Sequence, residues 1–380
     1  MNKVFIDHQI FSLQTFGGIS RYFSELIRNS NMNLQVELPA VYSRSRHLKE
    51  LTQLKHLQEW PNAESNIGKK LLAKLNFMHR LDPFQENNLK LSEAINANPL
   101  AVVHATYYNP YFLSLLKKET KLVVTIYDLI HENFPEFSSP DDKTCTHRKE
   151  ILTRADHVIC ISQETKNDLM SHYQIKDDKI SVIHLSDSFK SIVTIDEDFE
   201  SRLPSKYFLF TGNRSAYKNW FFLLRAFQKV RKAHTDVFLV CTGSPFSPGE
   251  KAYLEDLGVH SAVRHFSPNE IQLYSLYKNA VAFIFPSYAE GFGIPVLEAM
   301  RAGTPALLSD IPVFKEIAGD SAAYFPPKDI RSLNSMMVRV LEDKVFAEKL
   351  RKMGFSQVKN YSWEKTAAET FNIYKRLSAQ

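Results

Sequence analysis

Cysteine is scarce: Cys145, Cys160 and Cys241 are the only three in 380 residues. So few and so scattered, they exclude a disulfide framework and a cysteine zinc site. Cys160 and Cys241 lie inside apolar runs and read as small core residues. Such usage suits a reducing cytoplasm. No apolar run approaches the length of a membrane span. The first residues, Met1 to Asp7, already read as a strand, with no basic-then-apolar leader before it. A dominant charge is missing as well, since a net +5 is too mild for a dedicated nucleic-acid binder. There is no Gly-x-Gly-x-x-Gly, which disfavours a dehydrogenase. Apolar content of 44% with 12% aromatics excludes a disordered chain. The length exceeds one ordinary core, so two domains are expected.

Three times, an apolar strand runs through glycine into a helix. The longest such stretch is Val281 to Phe285, then Glu290-Gly291-Phe292-Gly293-Ile294-Pro295-Val296-Leu297-Glu298. The glycines permit a tight turn with backbone close to a ligand. Pro295 suits the first helical position and Gly303 the residue past the last. A helix N-terminus behind such a turn offers N–H groups and a positive dipole end, which favour phosphate. Glu290 and Glu298 are poor phosphate ligands but accept hydroxyl hydrogens well. A sugar and a ribose flanking a diphosphate would supply them.

The second turn, Gly17-Gly18, follows strand Lys3–Ile6, where α/β sheets bind ligands. Its helix carries Ile19, Tyr22, Phe23, Leu26 and Ile27 on one face. The third runs from Tyr207–Thr211 through Gly212-Asn213-Arg214 to Lys218-Asn219 and a helix from Trp220. Basic residues at a helix start oppose the dipole unless an anion binds there. Arg214 would then be the bidentate fork and Lys218 the point charge.

His104 closes a strand that begins at Ala101, and Asp128 follows the strand Leu122–Ile126. Residues 186–205 show no helical or strand period and read as a linker. Asp196-Glu197-Asp198 within it lacks the preceding strand of a metal-binding Asp-x-Asp and reads as a solvated turn. From Arg44 to Arg80, eight Lys/Arg face three acidic residues. An apolar helical stripe there, Ile67, Leu71, Leu72, Leu75 and Met78, is flanked by Lys69, Lys70, Lys74 and Arg80. Segment 67–81 reads either as a helix packed on the sheet or as a peripheral contact with anionic membrane.

The run Glu290 to Met300 resembles the signature of the family-4 retaining glycosyltransferases. Gly-Gly-Ile-Ser-Arg-Tyr, Tyr-Asp-Leu-Ile-His-Glu and Gly-Asn-Arg…Tyr-Lys-Asn look nearest to bacterial mannosyltransferases of lipopolysaccharide and polysaccharide assembly. The resemblance runs nearly end to end and is weakest between residues 44 and 95. It departs at Tyr127, where the family commonly has histidine. It implies a GT-B fold, two doubly wound Rossmann-like α/β domains facing across a cleft, with a final helix crossing back. The expected division is 1–190 for the acceptor, 191–360 for the nucleotide-sugar and 361–380 for the crossover helix.

By that resemblance, Glu290 holds sugar hydroxyls, Glu298 the ribose, and His104 lies beside the sugar. Arg214 and Lys218 clamp the diphosphate, and Asp128 is an acceptor-side candidate. Gly17, Gly18, Gly212, Asn213, Gly291, Phe292, Gly293, Ile294, Val296 and Leu297 complete the donor site. These charges could stand in for a divalent metal, so no metal and no cofactor are expected. No carboxylate is marked as a covalent nucleophile. Same-face attack, with the leaving phosphate taking the acceptor's proton, therefore fits better than double displacement. The expected donor is GDP-mannose and the expected acceptor a glycan or lipid-linked saccharide, with no nucleic acid. The expected location is the cytoplasm, including the inner face of its membrane. A UDP- or dTDP-sugar donor, a nucleotide-sugar epimerase and a non-catalytic assembly partner are the alternatives.

Overall fold

The computed structural model describes residues 3–30, 34–49, 51–61, 82–137, 139–189 and 195–379. Segment 67–81 lies outside them. The first half contains β1 (Lys3–Ile6), β2 (Gln35–Glu37), β3 (Tyr42–Ser43), β4 (Gln58–Glu59), β5 (Val102–Ala105), β6 (Lys121–Ile126), β7 (His157–Cys160) and β8 (Ile180–Val182). The second contains β9 (Tyr207–Phe210), β10 (Phe238–Cys241), β11 (Val263–His265), β12 (Ala282–Phe285), β13 (Ala306–Ser309) and β14 (Ala323–Phe325). They form two six-stranded parallel sheets, β2-β1-β5-β6-β7-β8 and β11-β10-β9-β12-β13-β14, with β3-β4 as a side pair. Parallel strands are covered by helices on both faces, which is why they read as continuous apolar runs. Every residue of β5, β7, β9, β12 and β13 is buried.

Strand order fixes where a ligand can enter. β1 has β2 on one side and β5 on the other; β9 has β10 on one side and β12 on the other. The connections there leave in opposite directions, opening a crevice beyond the carboxyl ends of the strands. The loops after β9 and β12 are two of the glycine turns; the third, Gly17-Gly18, follows β1 only after a short helix, Gln9–Leu13, that the sequence reading did not include. Topology thus gathers what the sequence scatters.

The last helix, Trp363–Ser378, starts at Ser362, whose hydroxyl accepts the Lys365 N–H at 3.2 Å. It crosses back to pack on the helix Gly18–Arg28, as the resemblance implied. The Trp363 indole donates to the Asp187 carbonyl (2.8 Å) and the Thr366 hydroxyl to the His184 carbonyl (2.7 Å). Asp187 is buried and accepts from Arg301 at 2.9 Å. The start of the stretch read as linker is therefore packed structure. Asp196 caps the short helix Glu197–Glu200 through the Phe199 N–H (2.9 Å) and accepts from Gln272. It is a helix cap, which the sequence period was too short to reveal.

His104 departs from expectation. It is the third of four residues in β5, and its ring points into the core. Nδ1 meets the Tyr374 hydroxyl at 2.5 Å and Nε2 the Thr125 hydroxyl at 2.8 Å. Phe23 packs edge-on against it at 4.9 Å. Burial holds its pKa down at about 3. With both nitrogens occupied and no exposure, it has no face toward the cleft. Tyr374→Phe should cost about 1–3 kcal/mol in denaturant unfolding by leaving a buried ring nitrogen unpaired, with turnover unchanged. Because the unfolded chain protonates His104 near 6.5 and the folded one near 3, this residue destabilises the fold progressively below pH 6.5.

Candidate active site

Loop 212–219 turns out of β9 at Gly212, whose φ is 103°. It ends at Asn219, with φ 58° the one non-glycine residue at positive φ among the described residues. The Asn219 amide donates to the Pro286 carbonyl (3.1 Å) and the Pro327 carbonyl (2.9 Å). Those bonds offset the left-handed backbone, which asparagine tolerates better than most residues. The Tyr288 N–H donates to the Tyr217 carbonyl at 2.8 Å. The loops after β9 and β12 are thereby stitched together.

The stitching aims Lys218 at Glu290. Their Nζ and Oε1 are 2.6 Å apart, and the Ser287 hydroxyl donates to the same oxygen at 2.6 Å. The Lys218 ammonium also lies over the Phe285 ring at 4.8 Å and the Tyr217 ring at 5.2 Å. Both side chains keep an opening, at 13% and 10% exposure. A phosphate could take Lys218, and sugar hydroxyls could take Glu290.

One turn further, Gly293 (φ 110°) leads into the helix Ile294–Arg301, with Pro295 at its second position. Glu298 on that helix is buried and accepts the Tyr277 hydroxyl at 3.0 Å. Burial raises its pKa, while the Ser188 hydroxyl, the Arg21 charge and Tyr277 pull it back. Gly18 opens the facing helix so close that a Cβ there would lie 3.1 Å from the Ile294 side chain. Two helix N-termini from opposite halves converge here.

Four donor-site expectations change. Arg214 turns away: its Nε binds Glu250 Oε1 at 2.5 Å, and its other nitrogens reach the Thr242 and Ser244 carbonyls at 3.2 and 2.7 Å. Glu250 is itself fixed in a capping box with Ser247. A fork held by a fixed carboxylate braces loop 242–250 and is not free to converge with Lys218. Phe292 is buried against His184 and Tyr361 (5.9 and 6.0 Å). Val296 and Leu297 are fully buried. For these three only backbone could meet a donor, because their side chains fill the core behind the turn. Asn213 stays exposed and bonds Ser215.

Across the crevice, Asp128 accepts the Ile130 N–H at 3.1 Å. It lies against Gly291, where a Cβ would fall 3.1 Å from the Asp128 Cβ. Tyr127 donates to the Thr106 carbonyl at 2.9 Å. Arg21, quoted in the sequence only as part of Gly-Gly-Ile-Ser-Arg-Tyr and given no role there, bridges to Glu270 at 3.1 Å, and its charge reaches Glu298. Ser287 and Glu316 likewise had no role assigned from the sequence. The Glu316 carboxylate accepts the N–H groups of Gln163 (2.7 Å) and Glu164 (3.1 Å), capping a helix of the other half.

Two facing parallel α/β sheets, with a lysine–glutamate pair at one switch point and a glycine turn at the other, are the architecture of GT-B glycosyltransferases. Residues 16–185 match the profile of Glycosyltransferase Family 4, and residues 192–357 that of Glycosyl transferases group 1. The chain belongs to the family-4 glycosyltransferases. It is 25% identical to O-antigen chain mannosyltransferase B of Escherichia coli over 95% of this chain and 96% of that one. It is 29% identical to O-antigen chain mannosyltransferase RfbU of Salmonella typhimurium over 60% of this chain and 62% of that one. Among solved structures, a sucrose-phosphate synthase from Thermosynechococcus elongatus superposes over 100% of both chains with a TM-score of 0.74 at 18% identity. No helix among the described residues is long and apolar enough to cross a membrane.

Proposed function

We propose that this glycosyltransferase moves mannose from GDP-mannose, with retention, onto a glycan or lipid-linked saccharide in cell-surface polysaccharide synthesis. The observation that carries the reading is the Lys218–Glu290 pair, partly open at the β9/β12 switch point. The mannose assignment draws on the relatives, two of which are O-antigen chain mannosyltransferases.

The diphosphate displaces Glu290 from Lys218, and Glu290 then accepts hydroxyls of the sugar. Glu298 holds the ribose. As the glycosidic bond breaks, negative charge grows on the leaving diphosphate, and Lys218 with the two helix N-termini stabilises it. This arrangement takes the place of a divalent metal. The acceptor approaches on the leaving-group face, and the departing phosphate takes its proton. Asp128 faces the acceptor. The enzyme works in the cytoplasm.

Thermal melting with GDP, UDP, dTDP and their sugars, with and without EDTA, tests the donor. GDP-mannose at a hundred times its Kd should stabilise the fold by about 2.7 kcal/mol, unaffected by EDTA, and Glu298→Ala should abolish the shift. A shift with UDP or dTDP sugars alone would replace the donor. No shift with any of them would end the transferase reading.

A further inference from the structure

Glu290 lies between two fastenings that come from opposite halves. Two residues before it, the Tyr288 N–H donates to the Tyr217 carbonyl of the second half at 2.8 Å. One residue after it, the Gly291 carbonyl accepts the Thr165 hydroxyl of the first half at 3.2 Å. Thr165 stands in the first turn of the helix Gln163–His172. Every N–H of that turn is taken. The Ser162 hydroxyl accepts from Thr165 at 3.0 Å, and the Glu316 carboxylate accepts from Gln163 at 2.7 Å and Glu164 at 3.1 Å. A helix normally meets these groups with its own cap or with water. Here a carboxylate from the other half takes two of them.

Glu316 sits on the helix Pro312–Ala318 of the second half, with its side chain 18% exposed. His184 Nε2 meets the same carboxylate at 2.7 Å, close to where the chain crosses between the halves. Burial opposes the charge of Glu316, but His184 and the two N–H groups outweigh it and hold the carboxyl below its usual range. One helical turn of the first half therefore holds the second half at two places, Glu316 and the Gly291 carbonyl. A Cβ on Gly291 would overlap the Tyr127 carbonyl, so no gap separates the halves there. Glu316 and Thr165 are not among the proposed donor contacts. They act on transfer through the loop that carries Glu290.

We infer that Glu316 and Thr165 are positioning residues for glycosyl transfer: through Gly291 they set where Glu290 presents its carboxylate to the sugar. The inference rests on the transferase reading. It adds that the acceptor half helps to place the group that holds the donor sugar. The sugar end of the donor is then recognised in full only with the two halves seated, whereas the nucleotide end is held by the second half.

Equilibrium binding tests it without an acceptor. Calorimetry on the full chain compares GDP with GDP-mannose, or UDP with UDP-glucose if only those raise the melting temperature. The quantity read is the affinity for the nucleotide sugar divided by that for the nucleotide. The ratio removes any change at the diphosphate, which both ligands carry. Glu316→Gln and the near-isosteric Thr165→Val should each lower it about tenfold. Glu290→Gln should lower it at least as far, and adding Thr165→Val to that variant should lower it no further. Asp343→Asn, which loosens a helix cap within the second half, should leave the ratio alone. If Glu316→Gln fails to fold, Thr165→Val decides. Equal weakening of both ligands is what a merely structural cap would give, so a wild-type ratio in either folded variant overturns the inference. So does an equal fall in Asp343→Asn, or a further fall in the double variant. A wild-type protein that binds none of these nucleotides overturns the donor reading, and this inference with it.

Discussion

Lys218→Ala should lower kcat by about 10²–10³-fold, the usual loss when one donor aimed at a developing oxyanion is removed. That is about 2.7–4 kcal/mol of transition-state stabilisation. The lysine is well placed for it. Asn219, in its left-handed conformation and tied to the Pro286 and Pro327 carbonyls, fixes the backbone from which Lys218 projects. The rings of Phe285 and Tyr217 shield the ammonium on two sides. Part of any loss could come from folding, because the variant leaves Glu290 nearly buried with only the Ser287 hydroxyl. Adding Glu290→Gln removes that uncompensated charge. The double variant should melt closer to the wild-type temperature and stay inactive. Wild-type turnover in Lys218→Ala would refute the proposed role, and recovery of turnover in the double variant would reassign the effect to stability.

The second large effect is expected at Gly291. A Cβ there would sit 1.6 Å from the Tyr127 carbonyl oxygen and 2.7 Å from its carbon. Backbone cannot yield as a flexible side chain does, so Gly291→Ala must force the two halves apart. The Thr165 hydroxyl would lose the Gly291 carbonyl (3.2 Å), and Glu316 would be drawn from the N-terminus of the helix Gln163–His172. A misplacement of about 1 Å at a reacting centre costs about 10²-fold, so kcat/KM should fall at least that far. GDP should still bind, because its contacts are proposed mainly on the second half. Small-angle scattering should show a larger radius of gyration. An alanine variant with wild-type kcat/KM and an unchanged radius would mean that this close approach is not needed for turnover.

Much of the molecule is legible in local sequence. The inner strands read as apolar runs because a parallel sheet is covered on both faces, whereas the short polar strands β2 (Gln35–Glu37), β3 (Tyr42–Ser43) and β4 (Gln58–Glu59) carry no such signal. Each glycine turn marks the chain passing into a helix. Lys218, Glu290 and Glu298 could be picked out because their chemistry is odd for their place: a cation at a helix start, and acids beside a phosphate-favouring turn. The family signature fixed the fold class for the same reason, since its residues are consecutive.

What the chain order hides is where a side chain points when its partner is far away. His104 looked like a strand-end ligand, yet its ring is claimed by Tyr374, 270 residues later. Arg214 looked like half of an anion clamp, but Glu250, 36 residues on, takes its fork first. Phe292, Val296 and Leu297 belong to the signature, and the core behind the turn claims their side chains. Phe134, Phe137 and Tyr288 stack in a row that has no local signal, because it forms only where the two halves meet. The sequence by itself determined the apolar strands, the glycine turns and the charged residues beside them, all set by interactions within a few residues. Only the tertiary structure decided which of those side chains face the cleft, because that depends on competition among partners brought together by packing.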